Sequence, residues 1–315
     1  MEEVIKKILS AKSAAVMAHI HEDPDALGSC FAVASVLREH GKKAVVYVSG
    51  PVEQRLDFMG KDYEEYVPGA VYDHDLCICL DCGDADRLGA RRALMESIGH
   101  SVNIDHHYSN TRFAEENYVD GGASSTGEIL YRLFKDAGIK ITKSTAAQLY
   151  TAICSDTGCF KFSCVSPDTM RAAAELMETG IDHAETARLL FDCETLAAAK
   201  LKAEVTSCME SFFGGKVRVV TMPEGMCGRY GIAEADAPNL VDIPRGIAGT
   251  EIAVCLKELG GEVRVNLRSN GDADVSLIAA RMGGGGHKKA AGCSVKNARA
   301  AEVKEEIIRE CMCLI

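Results

Sequence analysis

The stretch Val16-Met-Ala-His-Ile20-His-Glu-Asp23-Pro-Asp25 decides the fold. An apolar run, Val16 to Ile20, gives way at once to a polar loop. A helical pattern follows from Ala26 to His40, which Gly41 stops, and Ala44 to Ser49 reads as the next strand. Strand, loop, helix, strand is the unit from which parallel sheets are built. Working outward, Leu76–Asp81 and Val102–Asp105 read as further strands, with helical stretches near 126–137 and 144–154. The expected fold class is α/β: a mostly parallel, doubly wound sheet domain over residues 1–190. In such sheets the loops at the carboxyl ends of the strands build the site.

Beyond residue 190 the pattern changes. A helical region near 194–212, rich in Ala, Lys, Glu and Met, predicts a linker helix within 191–214. Val217–Met222, Ile252–Glu258 and Glu262–Arg268 read as closely spaced strands. A helix near 275–282, the run Gly283–Gly286 and an amphipathic helix near 298–311 complete the chain. Residues 215–315 are therefore expected to form a smaller α/β C-terminal domain, with a cleft between the two domains.

Four apolar runs end directly in Asp or His: His19-Ile-His-Glu-Asp23-Pro-Asp25, Leu76-Cys-Ile-Cys-Leu-Asp81-Cys-Gly-Asp84, Val102-Asn-Ile-Asp105-His106-His107 and Ala152-Ile-Cys-Ser-Asp156. One such cluster means little, because loops are polar everywhere. Four in one domain predict a metal site, since carboxylates gathered in number need a cation. Carboxylate and imidazole without thiolate suit Mn²⁺ or Mg²⁺. Asp23, Asp25, Asp81 and Asp156 carry four negative charges, which two divalent ions balance. Two such ions about 3.5–4 Å apart are the arrangement used by phosphoryl hydrolases.

In the second half, Arg264-Val-Asn-Leu-Arg268-Ser269-Asn270 precedes Gly283-Gly284-Gly285-Gly286-His287-Lys-Lys-Ala-Ala-Gly292. Glycines let backbone amides approach an anion closely, a helix start after them would add its dipole, and Arg268 offers a fork for phosphate. Lys288 and Lys289 read as a solvated pair.

These motifs resemble the DHH phosphoesterases, named for a triplet that stands here as Asp105-His106-His107, and the Gly283–His287 segment resembles the mark of the DHH-associated C-terminal domain. The resemblance covers nearly the whole chain. It implies that His19 and Asp23 bind one metal, that Asp25, His106 and Asp156 bind the other, and that Asp81 bridges both. His107 would face the substrate phosphate, Asp105 would support the histidines, and Arg268, Ser269, Gly284, Gly285, Gly286 and His287 would hold the substrate's phosphate or nucleotide end. The implied cofactors are two divalent ions, Mn²⁺ before Mg²⁺, and the implied reaction is attack of an activated water on phosphorus. The size and the Gly283–His287 segment together resemble the compact branch of that family, which implies degradation of oligoribonucleotides of 2–5 nucleotides and dephosphorylation of 3′,5′-bisphosphoadenosine (pAp). The alternatives are hydrolysis of cyclic di-AMP or its linear product pApA and, from another class, a non-catalytic nucleotide sensor.

Composition bounds the rest. The 315 residues are 47% hydrophobic and 26% charged, which excludes a disordered chain. Net charge is −11, with 19 Lys+Arg against 29 Asp+Glu in residues 1–190, so the acidity lies in the first domain and long duplex nucleic acid is a poor partner. No apolar run reaches the roughly 18 residues of a membrane span, and the Met-Glu-Glu start lacks a secretory layout. The expectation is a cytoplasmic protein with no membrane partner, for which a homodimer is compatible. Fourteen scattered cysteines, including Cys79-x-x-Cys82 and the pair Cys311 and Cys313, read as buried thiols and not as a zinc site. Asp84 is expected to back the ligands or to cap a helix, the first being favoured. His21, His40, His74, His100 and His183 belong to no constellation.

Overall fold

A computed structural model describes residues 2–234 and 237–315. The chain divides into two compact units, one ending at Cys193 and the other running from Glu194 to Ile315.

Among the described residues the first unit contains six strands: β1 (Ser13–Met17), β2 (Lys43–Val48), β3 (Glu64–Glu65), β4 (Leu76–Leu80), β5 (Ser101–Asp105) and β6 (Glu116–Val119). They form one sheet in the order β3-β2-β1-β4-β5-β6, and every pairing in it is parallel. Its helices are α1 (Glu2–Ser10), α2 (Pro24–Glu39), α3 (Arg92–Ile98), α4 (Thr126–Asp136), α5 (Lys143–Asp156), α6 (Pro167–Glu178) and α7 (His183–Ala187). All five residues of β4 are buried. A strand apolar on both sides must be covered on both sides, which is why it stands in the middle of a parallel sheet. On one face Val16, Ile78 and Ile104 pack with Leu27, Phe31, Ile129, Leu149 and Ile153 of α2, α4 and α5. On the other face Ala15, Met17, Cys77 and Cys79 pack with Leu88, Leu94 and Met95. Each fully buried side chain of this size contributes roughly 1.5–3 kcal/mol.

The first strand begins and ends three residues earlier than the run Val16–Ile20 suggests. The Asp75 carboxylate accepts the backbone N–H groups of Lys12 and Ser13, each at 2.9 Å, and fixes the strand start. Ala18, His19 and Ile20 therefore lie past its carboxyl end.

The second unit contains α8 (Leu196–Ser207), β7 (Glu210–Phe212), β8 (Val217–Met222), α9 (Met226–Arg229), α10 (Asp242–Arg245), β9 (Ile252–Leu259), β10 (Glu262–Ser269), α11 (Val275–Arg281), β11 (Gly285–His287), β12 (Ala290–Lys296) and α12 (Ala300–Cys311). Its sheet runs β11-β12-β10-β9-β8-β7, with β8 and β9 parallel and the other neighbours antiparallel. The region expected as a linker helix stops at Ser207 and continues as an edge strand. Leu201 and Val205 of α8 are buried with Val220, Met222 and Cys255, so this helix is part of the second unit's core. The opposite face packs Val254, Leu256 and Val265 against Ile278, Val303 and Ile307.

The glycine run also differs from expectation. Gly285–His287 forms an edge strand on β12, and α11 lies before it; no helix start follows, so no dipole acts there. A Cβ at Gly284 would lie 2.2 Å from the Gly292 carbonyl oxygen, and Gly286 has φ +138°. Backbone packing against β12 therefore demands these glycines by itself.

All fourteen cysteines are free thiols, and Cys77, Cys79 and Cys82 are buried. Among the described residues no helix is long and apolar enough to cross a membrane.

Candidate metal centre

Three adjacent strands, β1, β4 and β5, deliver His19, Asp81, His106 and His107 at their carboxyl ends. Asp23 and Asp25 come from the start of α2, and Asp156 ends α5. One ligand atom from each of His19, Asp23 and Asp81 lies within 4.8 Å of the others, as do those of Asp25, His106 and Asp156, and those of Asp81, His106 and His107. The six residues expected to bind metal are thus brought together from four stretches of chain. Among the described residues no such group includes a cysteine.

Asp81 lies between the first two groups. Its Oδ2 is 3.5 Å from His19 Nε2, and its Oδ1 is 3.4 Å from His106 Nε2. Its backbone has φ +52°, uncommon for a residue with a side chain and typical of functional sites. The Asp81 N–H donates to the Ile104 carbonyl at 3.0 Å, which ties that conformation to the neighbouring strand.

Asp25 is fully buried. The α4 N-terminus holds it: Thr126 N–H donates to Oδ2 at 2.8 Å and Gly127 N–H to Oδ1 at 2.9 Å, with the Ser29 hydroxyl at 3.2 Å. Helix N-terminal amides suit a carboxylate. A Cβ on Gly127 would stand 2.5 Å from that of Ala152, so the close approach of α4 and α5 requires glycine there. Asp23 caps α2 by accepting the Ala26 N–H at 3.0 Å and turns its other oxygen to His19, 3.5 Å away.

The donor set fits a cation. Burial first, then Asp81 and Asp23, push Asp25 well above the usual carboxylate range, while the Thr126 and Gly127 amides resist. Burial, then Asp25, Asp23 and Asp81, do the same to Asp156. Burial opposes charging of His19, but Asp23 and Asp81 prevail and raise it to about 11. Asp23 moves down to about 2, because His19 outweighs its burial. Carboxylates crowded this closely hold protons that a divalent cation can replace. The His19 Nδ1–H donates to the Ile20 carbonyl at 2.8 Å. That tautomer leaves Nε2 as the ligand atom and orients it, a common support for metal-bound imidazole.

His107 is arranged differently. Its Nδ1–H donates to Asp105 Oδ1 at 2.7 Å, closer than the 3.7 Å to Asp81, so that nitrogen is committed to Asp105. Burial works against its protonation, and Asp105 and Asp81 outweigh it, holding the ring above the ordinary imidazole value. Asp105 is fully buried and also accepts from Asn110 Nδ2 at 2.6 Å.

Several supporting residues carried no signal of their own. Ser125-Thr-Gly-Glu128 has the pattern of a helix cap, which could have marked α4 as a carboxylate holder. Glu22 and Arg91 form a buried ion pair at 2.7 Å beside the metal-side loop, with Glu22 also accepting the Ser49 N–H at 2.8 Å. Asp84 caps the turn after β4 through the Arg87 N–H at 3.0 Å, which corrects its expected place behind the ligands. His21 is exposed in the loop with φ +59°.

In the second unit, Arg268 is half-buried on β10 and donates to the Leu267 carbonyl at 3.1 Å. Ser269 is buried, and its hydroxyl donates to the Gly271 carbonyl at 3.2 Å, which holds the turn. Gly284, Gly285, Gly286 and His287 are exposed.

Residues 13–153 match the DHH family, N-terminal domain, and residues 214–312 match the DHHA1 domain. The chain is 31% identical to the bifunctional oligoribonuclease and PAP phosphatase NrnA of Thermus thermophilus, over 93% of this chain and 87% of that protein. It is 27% identical to the protein of the same name from Bacillus subtilis, over 93% and 92% of the two chains. The crystal structure of an exopolyphosphatase-related protein from Bacteroides fragilis has a TM-score of 0.91 at 23% identity, covering 98% of this chain and 94% of that one.

Proposed function

Because this chain belongs to the DHH family and carries a DHHA1 domain after its DHH domain in sequence, we propose that it is a metal-dependent phosphoesterase hydrolysing short oligoribonucleotides to mononucleotides and pAp to AMP. Relatives of nearly the same length bear the name bifunctional oligoribonuclease and PAP phosphatase. The observation that carries the reading is the position of Asp81, whose two oxygens face two separate histidine–carboxylate groups. His19, Asp23 and Asp81 would hold one divalent ion, and Asp25, His106, Asp156 and Asp81 a second. Bound there, the ions, Mn²⁺ in this reading, supply an acidified water and neutralise charge on the phosphoryl oxygens.

The chain's own groups do the rest. The Thr126 and Gly127 amides keep Asp25 oriented. Asp105 holds the proton on His107 Nδ1, so the protonated ring presents Nε2–H to the substrate phosphate. As water attacks phosphorus and the phosphorus–oxygen bond breaks, that proton passes to the leaving ribose oxygen. Arg268 and His287, beside the Gly284–Gly286 run, bind a terminal phosphate or nucleotide. Fourteen free thiols suit a reducing compartment, which supports a cytoplasmic location.

The test is a substrate panel of pAp, a labelled dinucleotide, a five-nucleotide RNA, pApA, cyclic di-AMP and pyrophosphate, each with Mn²⁺, Mg²⁺ and chelator. Turnover of pAp and the dinucleotide that chelator stops is the expected result. Turnover of pyrophosphate alone, or of nothing, would refute the proposal.

A further inference from the structure

We propose that Tyr108 is a stacking platform for a nucleobase of the substrate, and that it makes this site select nucleotides over bare phosphoesters. The inference rests on the phosphoesterase reading and specifies its substrate class.

After β5 the chain passes through His106 and His107 into a turn, closed by the Asn110 N–H donating to the His107 carbonyl at 3.1 Å. Tyr108 sits on this turn and is 81% exposed, whereas the exposed phenylalanines Phe162, Phe191 and Phe213 reach 39%, 42% and 37%. A single exposed tyrosine on a loose loop would mean nothing. This turn is anchored. Asn110 Nδ2 donates to Asp105 Oδ2 at 2.6 Å, to Asn103 Oδ1 at 2.8 Å and to the Cys82 carbonyl at 3.1 Å, and the Thr111 N–H donates to the Gly83 carbonyl at 2.8 Å. Asn110 Oδ1 accepts the Arg112 N–H at 2.6 Å.

The ring has a seat as well. A Cβ on Gly121 would lie 2.5 Å from Tyr108 Cδ1 and 2.6 Å from Cε1, so only glycine lets the ring rest there. Gly121 belongs to the loop that leaves the Asp120 N–H bond to the Asp105 carbonyl, at 3.0 Å, and ends at Ser125, the cap of the helix that grips Asp25. The ring thus rests on Gly121, on a turn that follows His107 directly in the chain. The fold presents an exposed aromatic group on an anchored turn one residue past His107.

An exposed aromatic face one residue along the chain from a phosphate-facing histidine suits recognition of a base. Stacking is tolerant of sequence because every base has a π-face. It favours any nucleotide over an anion without one, which suits an enzyme for short RNA of mixed sequence. With no Trp in the chain, Tyr108 is the exposed ring placed for this task.

The experiment compares full-length wild type with Tyr108→Ala, Tyr108→Leu and Tyr108→Phe. Steady-state kinetics use a dinucleotide and its counterpart lacking both bases, and fluorescence titration uses a dinucleotide carrying 2-aminopurine. Tyr108→Ala and Tyr108→Leu should raise KM for the dinucleotide about 5- to 100-fold, the range of one lost stack, leave KM for the baseless compound unchanged, and lose the quenching that wild type gives. Tyr108→Phe should behave as wild type. If Tyr108→Ala leaves the dinucleotide KM unchanged, or raises it equally for the baseless compound, Tyr108 is not a base platform. If wild type turns over neither compound, the phosphoesterase reading itself has failed.

Discussion

The Thr126 hydroxyl donates to Asp81 Oδ1 over 3.0 Å, while the N–H of the same residue holds Asp25 at 2.8 Å. One residue thus orients two carboxylates assigned to metal binding. Thr126→Val keeps the shape and the backbone bond and removes the hydroxyl. Its Mn²⁺ affinity, measured by titration calorimetry, should fall about 10- to 100-fold, as for other groups that orient metal ligands. Thr126→Ser should bind nearly as wild type. Equal affinity in Thr126→Val would mean that the hydroxyl only fills space.

Asp81→Asn preserves volume and the contact with Thr126 and removes the charge shared by both groups. Mn²⁺-dependent release of mononucleotides from a dinucleotide should drop to background. Activity retained at the wild-type level would remove Asp81 from the centre of the site.

The residues that could be read in advance share a cause. His19, Asp81 and Asp105-His106-His107 each end an apolar run, so the chemistry sits where a strand stops, and strand ends are local features. Thr126 and Gly127 lie about a hundred residues from Asp25, and only the packing of α4 on α2 and α5 reveals them. Asn110 and Arg91 are likewise defined by partners distant in sequence. The edge strand Glu116–Val119 was not legible, because all four of its residues are half-buried and lack an apolar face. The edge strand formed by the glycine run was not legible for a related reason: its backbone packs on β12, a tertiary contact with no local sign.

Burial holds Arg268 below its usual pKa, yet the guanidinium stays charged near neutral pH. In the proposed role it binds and does not react. Arg268→Ala should therefore raise KM for pAp about tenfold or more and leave kcat within about twofold. An equal fall in kcat and kcat/KM would instead place the guanidinium in the transition state.

Arg91 and Glu22 are both almost fully buried, and Arg91 Nη2 has no partner among the described residues. Removing Glu22 strands a buried cation. Glu22→Ala should cost about 3–5 kcal/mol in urea unfolding, and Glu22→Ala with Arg91→Leu should recover much of it. A double variant no more stable than Glu22→Ala would show that the pair gives more than mutual neutralisation.

The cluster predicts how pH acts on the chelated protein. Asp25 and Asp156 have folded pKa values above the unfolded ones, so the folded state binds more protons and stability falls as pH rises above about 4. His19 acts in the same direction: its contribution is complete below about 6.5 and is lost as pH rises toward about 11. Asp23 acts oppositely, but only between about 2 and about 4, outside this window. Without metal, the site should therefore destabilise the fold progressively above about pH 4. A divalent ion replaces those protons, so its affinity rises with pH. The rise in melting temperature on adding Mn²⁺ to chelated protein should be larger at pH 8 than at pH 5. Comparing the two states at each pH cancels every group that titrates elsewhere. A rise that stays constant or shrinks with pH would mean that these carboxylates and His19 do not hold the ion.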